Sequence, residues 1–550
     1  MMPNWKFDFK FDRPVRKLGL ILGDQLNQQL VSRLNPSQDA ILMLEVLSES
    51  RQPSSSWQKT TLFLSAMRHF ANDLKPTWSE SAMHYVTISH GCPDFEQGLQ
   101  AFFQSYQMAF PNESLPALEC VLAGDDSIKQ SIDTFAHSNG VALQWLADEH
   151  FISEPGQFQR WLSGRKQPRM EYYYRLLRQQ TGYLMQGVEG QQSSKSQPVG
   201  GQWNYDKDNR KSFGKSGPEN VPEVRLFELD EVTGSVVETL VELVDKKVLS
   251  LAGEPLKLEN LTQKGWFWPV TRAQALLVLE GFVGHRLAQF GDFQDAMWQD
   301  QPWLFHSRVS SALNMKLLDP REVIEAAIEA FEKNQAPLNA VEGFVRQILG
   351  WREYIRGLYW SYRKDWFQAN HLNAQRDLPS FFWTGKTQMN CQSQAVSQVL
   401  QTGYGHHIQR LMVTGLFSLL YGVKPQQIHE WYLGLFVDAI AWVEIPNTIG
   451  MSQFADGGIV GSKPYIASGA YIQKMSNYCQ KCIYNPKLPA GEKACPISTL
   501  YWEFIARHQS LLDGHPRLGM QWRNWQNKSD EQQLAIRNRA RWLFENIDVV

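Results

Sequence analysis

The sequence predicts two domains of different class, an amino-terminal α/β domain with a parallel sheet and a large all-helical domain after it. Three observations lead to this fold. Short apolar runs alternate with helical patterns over the first 150 residues, a polar segment follows, and beyond residue 222 apolar residues recur at helical spacing. We therefore expect a loose tail over 1–16, an α/β domain over 17–150, a connector over 151–222 and a helical domain over 223–550.

Five apolar runs predict the strands of the first domain, and helical patterns at 61–74 and 95–110 separate some of them. The runs cover 18–22, 41–47, 84–89, 120–123 and 141–146. Strands that alternate with helices form βαβ units and a parallel, Rossmann-like sheet. The dinucleotide-binding pattern G-x-G-x-x-G does not follow the first strand.

Two acidic residues follow the first two predicted strands, Asp24 and Glu49. Ligands of open α/β sheets bind beyond the carboxyl ends of the strands, which is where both side chains would lie. Asp and Glu also cap helices, and from the residues alone capping is the simpler interpretation.

The connector is polar and basic. Helical patterns at 158–161 and 170–185 precede a segment over 186–220 that is rich in Gly, Gln, Ser, Asn and Lys. Between Arg160 and Lys215 eleven Lys and Arg residues stand against four Asp and Glu, interleaved with Trp and Tyr. This pattern indicates either a surface that contacts a phosphate backbone or a solvated charged loop.

The rest of the chain predicts helices throughout. Their expected ranges are 232–249, 273–290, 321–333, 341–362, 393–401, 408–421, 428–442, 497–512 and 531–547.

Composition excludes several classes of protein. The 550 residues carry a net charge of -2, which gives no global field for nucleic acid. No apolar run reaches the roughly 18 residues of a membrane span. Six cysteines without a signal peptide favour a reducing cytoplasm over a disulfide scaffold. The 20 Trp, 18 Tyr and 29 Phe indicate large aromatic cores or a row of rings that relays electrons.

Four cysteines form the most specific pattern in the helical region: Cys391, Cys479, Cys482 and Cys495. Four thiolates with one C-x-x-C pair indicate a tetrahedral metal site or an iron–sulfur cluster, and Pro496 after the last cysteine favours the cluster. Four buried free thiols are the alternative.

Taken together, a set of motifs resembles the photolyase/cryptochrome superfamily, and within it the bacterial branch with an iron–sulfur cluster, the prokaryotic (6-4) photolyases. The motifs are GDQL at 23–26, SAMRHF at 65–70, MEYYY at 170–174, HSRVS at 306–310, VEGFVRQ at 341–347, WREY at 351–354, TGKTQMNC at 384–391, HHIQR at 406–410 and PNTIGMSQFADG at 446–457. The resemblance covers nearly the whole chain, except the first dozen residues and a longer polar insertion near 187–197.

The resemblance implies a U-shaped FAD inside the helical domain. The residues that match the family's FAD contacts are His306, Ser307, Ser310, Gln347, Arg410, Asp438, Glu444 and Asn447. Serine hydroxyls at a helix start suit a pyrophosphate. Glu444 matches the position that faces flavin N5, where the family often has Asn, and Pro446 beside it predicts a tight turn. This chain departs from the family in His306, in Val309, and in Gln347, after which one extra residue, Gly350, precedes Trp351.

The resemblance also implies the chemistry. Light-excited reduced FAD donates an electron to a (6-4) photoproduct in DNA, and histidine supplies the proton that this repair needs. His406 and His407 match the active-site pair; adjacent residues on a helix point about 100° apart, so we expect His407 to face the lesion and His406 to position it. The matching lesion-pocket residues are Tyr465 and Tyr471. The matching electron path is Trp383, Trp431 and Tyr432, and Ile440 replaces a further Tyr of a relative.

Two further cofactors follow from the resemblance. One is a [4Fe-4S] cluster on the four cysteines, and the other is a 6,7-dimethyl-8-ribityllumazine antenna contacted by Asp24 and Glu49. The partner is UV-damaged DNA, single- or double-stranded, and we expect a cytoplasmic monomer without membrane contact. Two alternatives remain: a blue-light photoreceptor of the same branch, and a metal-bridged DNA-binding protein without flavin.

Overall fold

A computed structural model describes residues 5–165, 167–187, 196–514 and 516–550. The first four residues of the expected tail and residues 188–195 of the expected polar loop lie outside this range. Within it, no helix is both long and apolar enough to cross a bilayer.

A five-stranded parallel sheet organises the amino-terminal domain, as predicted. Its strands are β1 (Lys17–Ile21), β2 (Ala40–Leu44), β3 (Met83–Val86), β4 (Ala117–Val121) and β5 (Leu143–Leu146). The spatial order is β3-β2-β1-β4-β5, and Leu20 of β1 lies opposite Leu42 of β2 and Cys120 of β4. The order reverses between β1 and β4, so the carboxyl ends of these two strands form the crevice in which such sheets bind ligands.

Alternating residues of the sheet belong to two different cores. Leu42 and Leu44 pack into a core with the helices Phe95–Ala109 and Asp126–Asn139. Ile41 and Met43 point to the other face, where their core continues through the helix Trp57–Leu74 into the helical domain. The two domains therefore share one hydrophobic core.

The expectation of a loose amino terminus is wrong for residues 5–16. Phe9 is buried, and Phe7 and Phe11 pack beside it on the core that covers one face of the sheet. Phe9 and Phe11 both contact Phe102 edge to face. Burial of aromatic rings outweighs the polar character of the surrounding residues.

The connector contains short elements that the sequence did not reveal. The helices Gln157–Leu162 and Met170–Thr181 are close to those predicted, but the second ends at Gly182, whose φ of +77° suits glycine. A small antiparallel pair, Met185–Gly187 with Ser196–Pro198, follows it. Its residues show no apolar alternation, which is why the pattern predicted only a loop.

Beyond residue 222 the described chain is helical, as predicted. Its α-helices are Glu231–Asp245, Leu258–Lys264, Arg272–His285, Leu287–Phe293, Ser310–Asn314, Pro320–Glu332, Leu338–Val345, Glu353–Tyr362, Phe381–Thr384, Asn390–Thr402, His407–Gln409, Gly415–Tyr421, Pro425–Leu435, Ala441–Ile445, Gly469–Met475, Pro496–Arg507, Gln509–Leu512, Gly519–Gln526 and Asp530–Asn546.

Three π-helical segments interrupt these helices, Arg346–Arg352, Arg410–Thr414 and Pro446–Ser452. A π-turn accommodates one additional residue in a helix. The segment Arg346–Arg352 contains Gly350, the extra residue noted in the sequence, which packs so closely on Tyr174 that a Cβ would lie 3.2 Å from its ring.

Two predictions about local structure near residue 440 are wrong. The helix expected over 428–442 ends at Leu435, and Ile440 is extended, with φ of −130° and ψ of 149°. Pro446 does not make a tight turn; it continues the helix Ala441–Ile445 directly into a π-helical segment. Proline has no N–H to donate to the preceding turn, so the regular helical hydrogen bonds are interrupted at the residue where the π-helical segment begins.

Candidate active site

One cavity of about 500 Å³ lies inside the helical domain. Its lining comes from the segment before Ser310–Asn314, from all three π-helical segments and from the chain between Phe436 and Glu444. Departures from regular helix are frequent at functional sites, and here each of them borders the same space. The cavity includes every residue expected to contact FAD: His306, Ser307, Ser310, Gln347, Arg410, Asp438, Glu444 and Asn447.

Asp438 is the polar centre of the cavity wall. Its Oδ2 accepts hydrogen bonds from Ser310 Oγ at 2.7 Å and from Arg410 Nη2 at 3.0 Å. Asn314 donates to the Asp438 backbone carbonyl at 2.7 Å, which fixes the extended chain around it. The second carboxylate oxygen, Oδ1, is buried without a protein partner. This arrangement holds an ion pair in place and leaves one strong acceptor at the cavity.

The segment that precedes Ser310–Asn314 is held by aromatic stacking. The rings of His306 and His406 lie nearly parallel, with centroids 4.2 Å apart and an angle of 17°. His306 Nε2 lies 3.0 Å from the carbonyl of Gln294, and its Nδ1 has no partner. Burial lowers the pKa of His306 to about 4, so this ring is neutral at pH 7.

His406 and His407 do not share a helix turn as expected. His406 is the N-cap residue, with extended backbone, and His407 is the first helical residue. The His406 ring is buried with both nitrogens unpartnered, whereas His407 is accessible from the cavity although protein surrounds it. Enclosure, with Arg410 and His306 nearby, lowers the pKa of His407 to about 4.

Glu444 is buried and does not form a surface salt bridge. Its Oε2 is hydrogen-bonded to Nδ1 of His429, and Oε1 has no protein partner. Two amides complete this part of the wall: Gln347 donates to the carbonyl of Gly343 at 3.1 Å, and Asn447 donates to that of Val443 at 2.7 Å.

The two tyrosines expected in a lesion pocket differ in position. Tyr465 lines the cavity, together with Asp206, Arg210 and Asp295. Tyr471 lies outside the lining, in the helix Gly469–Met475; burial raises the pKa of its hydroxyl, and Asp295 adds to the rise.

Aromatic rings connect the surface with the cavity. Trp383 is 46 % exposed, and its neighbour Phe382 contacts Trp431 edge to face at 5.1 Å. Trp431 is fully buried and contacts Tyr432 at 5.2 Å, and Tyr432 lines the cavity. Ring contacts therefore run from Phe382 through Trp431 to Tyr432, and Trp383 of the expected electron path is next to Phe382 in the chain.

Asp24 and Glu49 lie near each other at the carboxyl ends of β1 and β2. Asp24 approaches Gly124, which follows β4, so closely that a Cβ there would lie 2.5 Å from Oδ2. Neither acid is an N-cap residue: Asn27 and Leu47 hold those positions. The protein around Glu49 raises its pKa to about 7 by reducing its hydration, although the residue is exposed at the crevice, and Asp125 adds to this effect. Trp442, which lines the large cavity, also donates its backbone N–H to the carbonyl of Gly124 at 3.1 Å.

The four cysteines of the pattern line a second, smaller cavity together with Tyr478. Cys391 lies in the first turn of Asn390–Thr402, and Cys495 is the N-cap residue of Pro496–Arg507. Burial raises the pKa of Cys391, and the other three sulfurs raise it further. Across the described ranges, however, no group of three or more His, Cys, Asp or Glu side chains is arranged to hold a metal ion.

Sequence reasoning missed several residues of these sites. His429 lies inside a helix that contains none of the family motifs. Arg308 is the central residue of the motif HSRVS at 306–310, and the resemblance assigns it no role. The Arg308 guanidinium lines the cavity between the rings of Trp268 and Trp303. Burial lowers its pKa to about 10, which marks a buried cation without a carboxylate partner. Arg308 also has an unusual backbone angle, a φ of +60°, but a backbone angle cannot be read from the sequence.

The helical domain with its internal cavity, attached to a parallel α/β domain, defines the architecture of photolyases and cryptochromes. The chain has this fold in common with a bacterial class III photolyase from Agrobacterium tumefaciens (TM-score 0.53, 14 % identity, 97 % of this chain and 98 % of the other). It also has it in common with a cryptochrome from Synechocystis (TM-score 0.52, 10 % identity, 96 % and 99 %). Residues 19–254 match the family model for deoxyribodipyrimidine photo-lyase-related proteins.

The particular family follows from sequence identity. The chain is 40 % identical to a (6-4) photolyase of Agrobacterium fabrum over 536 residues, which are 97 % of this chain and 100 % of that protein. Two uncharacterized mimivirus proteins match over about one fifth of the chain. The chain belongs to the (6-4) photolyase family of the photolyase/cryptochrome superfamily, which confirms the resemblance drawn from the motifs.

Proposed function

We propose that this protein repairs (6-4) pyrimidine–pyrimidone photoproducts in DNA with light, through electron transfer from reduced FAD. The single observation that carries the proposal is the shared cavity. It brings together an acidic anchor for a flavin, an accessible histidine and the last ring of an aromatic path. The metal-bridged alternative without flavin does not agree with family membership.

FAD fits the residues that line this cavity. The buried polar atoms without partners include Asp438 Oδ1, both nitrogens of His406, Arg308 Nε and Glu444 Oε1. Buried polar atoms require partners, and a flavin dinucleotide has donors and acceptors for such a set. When bound, FAD supplies the light-driven electron. Arg410 would balance the negative charge of its isoalloxazine ring. Ser307, Ser310 and Arg308 would bind its phosphates.

His407 is our candidate for the proton donor. It is accessible in the cavity, whereas His406 is fixed by its stack on His306. A pKa of about 4 leaves His407 neutral at pH 7 in the protein alone. The proposal therefore requires that the negative charge of DNA and cofactor raises this pKa in the complex. Tyr465 would stack on the flipped base in the mouth of the cavity, with Tyr471 behind it.

Basic and aromatic side chains of the connector suit the DNA backbone. Arg165 lies over the ring of Trp161 at 4.8 Å, and Arg175 lies over Trp203 at 5.2 Å. Gln167 donates to the carbonyl of Gly458 at 3.2 Å, which places the connector next to the end of the motif at 446–457. Guanidinium groups held in this way bind phosphates without sequence preference.

We further propose a [4Fe-4S] cluster in the cavity of the four cysteines. Four thiols around one cavity satisfy its ligand number, and binding of the cluster would displace the thiol protons that burial retains in the protein alone. A multinuclear cluster, unlike one metal ion, requires well-separated sulfurs. None of the six cysteines, all of which lie in the described ranges, forms a disulfide, which agrees with the proposed reducing, cytoplasmic compartment.

The antenna is proposed for the crevice at Asp24 and Glu49. Lys59 is an electrostatic neighbour of Glu49, and burial lowers the Lys59 pKa to about 8. A polar, uncharged chromophore such as 6,7-dimethyl-8-ribityllumazine has hydroxyl and ring groups that both acids can bind. Trp442 lines the flavin cavity and contacts Gly124 beside the crevice, so a single residue would separate the two sites.

A blue-light photoreceptor is the alternative function, and the name of the close relative favours repair. The deciding experiment illuminates the chemically reduced protein with an oligonucleotide that contains one (6-4) photoproduct. We expect restored thymines, measured by chromatography, and no restoration in the dark. Flavin photochemistry without any restored thymine would contradict repair and support the photoreceptor. We expect a monomer by light scattering.

A further inference from the structure

We propose that His429 is a positioning residue for Glu444: it fixes one carboxylate oxygen, turns the other towards the cofactor cavity and balances its charge during proton exchange. This inference rests on the proposed flavin function. It concerns a residue that no motif marks.

The geometry is that of a buried dyad. His429 lies in the helix Pro425–Leu435 and is 4 % exposed, and Glu444 lies in Ala441–Ile445 and is 7 % exposed. Nδ1 of the imidazole and Oε2 of the carboxylate are hydrogen-bonded. Such a bond between charged partners is stronger than a neutral one and leaves little freedom to the carboxyl group.

The second carboxylate oxygen of Glu444, Oε1, indicates which side of the dyad faces the cavity. Oε1 is buried, has no hydrogen-bond partner among the residues that the structure describes, and belongs to a residue that lines the cavity. A buried carboxylate oxygen is costly without a hydrogen bond, so the partner of Oε1 is expected inside the cavity. His429 itself does not line the cavity and acts only through Glu444.

The surrounding charges decide where the proton of the dyad lies. Burial lowers the pKa of His429, but the charge and hydrogen bond of Glu444 outweigh it, and Glu430 and Asp125 add to the rise. The pKa of His429 is therefore above its usual value. Lys59 is the charged group that faces Glu444 from the helix Trp57–Leu74, and its amine donates to the carbonyl of Leu433 at 2.6 Å.

The proton balance of the exchange is simple. In the ionised dyad, Oε1 of Glu444 would accept one proton from the N5 atom of a bound flavin, the N–H bond breaking as the O–H bond forms, and would return it in the reverse step. His429, which keeps its own proton at Nδ1, would stabilise the carboxylate form of Glu444 while the exchanged proton is on N5. Phe367, which is 52 % exposed, contacts the His429 ring edge to face at 6.0 Å, so one side chain separates the dyad from solvent.

The test compares His429→Phe, which removes the donor, with His429→Gln, which keeps a donor but no titratable proton. Glu430→Asp is the matched control, because it changes the exposed side chain that follows His429 on the same helix but keeps its carboxylate charge. The first readout is the visible absorption of the photoreduced flavin between pH 5 and 9, which reports whether N5 carries a proton. We expect both His429 variants to shift the midpoint of this titration by at least one pH unit, a tenfold change in proton affinity, and the control to keep it.

The second readout needs no cofactor. Because the folded-state pKa of His429 is raised, its stabilisation is full at low pH and is lost as pH rises through that pKa. We expect the unfolding temperature of cofactor-free protein to lose this dependence in His429→Gln but not in Glu430→Asp. Should His429→Phe fail to fold, His429→Gln alone decides. Unchanged titration and unchanged pH dependence in the folded variants would overturn the inference, whereas failed repair by the wild-type protein would overturn the proposed function only.

Discussion

The hydroxyl of Tyr478 accepts a hydrogen bond from the side-chain amide of Gln409 at 3.1 Å. The carbonyl oxygen of the same amide accepts the backbone N–H of His406, also at 3.1 Å. Tyr478 lines the cavity of the four cysteines, and His406 lines the proposed flavin cavity. A single buried amide therefore joins the walls of both cavities and fixes the turn on which His407 stands.

Gln409→Ala should destabilise the protein by about 2–4 kcal/mol, because it removes the hydrogen-bond partner of the buried His406 N–H and of the buried Tyr478 hydroxyl. Urea unfolding measures the change. Gln401→Ala, at an exposed position in the preceding helix, is the control and should change stability by less than about 0.5 kcal/mol. Equal stability of the two variants would show that the amide is not structural.

Cys479→Ser should lose the brown cluster absorbance and most of the soluble protein, because the cluster would tie together segments nearly ninety residues apart. Absorption spectra and iron analysis of purified protein measure this. Cys92→Ala removes a buried thiol of the amino-terminal domain and should keep the colour. A soluble, flavin-loaded Cys479→Ser protein would refute the structural role of the cluster.

His407→Ala should keep photoreduction and abolish repair, a loss of at least 100-fold in the rate of thymine restoration. In the wild-type complex, repair should fall as pH rises through the raised pKa of His407, because the donor must be protonated. His137→Ala, an exposed histidine of the other domain, serves as control. Retained repair in His407→Ala would place the proton donor elsewhere.

Trp431→Phe should slow photoreduction of oxidised flavin at least tenfold, because phenylalanine is oxidised far less readily than the ring that contacts Tyr432 at 5.2 Å. Flavin absorbance under constant light measures the rate. Protein that has been reduced chemically beforehand should still repair DNA, because its flavin then needs no electron from the aromatic path. Trp542→Phe changes an exposed tryptophan and should leave photoreduction alone. An unchanged rate in Trp431→Phe would remove Trp431 from the path.

Glu49→Gln should stabilise the antenna-free protein at pH 8 and leave it unchanged at pH 4. The pKa of Glu49 rises to about 7 in the folded protein, chiefly through burial. Because the pKa is raised in the folded protein, protonated Glu49 contributes fully to stability below its unfolded-state pKa. This contribution is lost as pH rises through 7. Unfolding temperatures of both proteins between pH 4 and 8 measure this. If the difference in unfolding temperature between the two proteins were the same at every pH, titration of Glu49 would not be its cause.

Patterns of apolar residues were sufficient for the fold class. The strand runs near Leu20 and Leu42 and the helical spacing after residue 222 depend only on local periodicity, which a chain cannot hide when it buries one face. Periodicity failed where tertiary contacts replace it. The chain from Phe436 to Ile440 leaves its helix because Asp438 is bound by Ser310 and Arg410 from distant segments.

The sequence by itself determined which residue types are present for flavin, cluster and proton chemistry, because the motifs that carry them are contiguous. It also gave the order of the domains. Only the tertiary structure decided that His407 is accessible while His406 is stacked, that Tyr471 lies outside the cavity, and that Glu444 is paired with His429. Side-chain direction, burial and partners depend on contacts between segments far apart in the chain, and local residue patterns carry no information about such contacts.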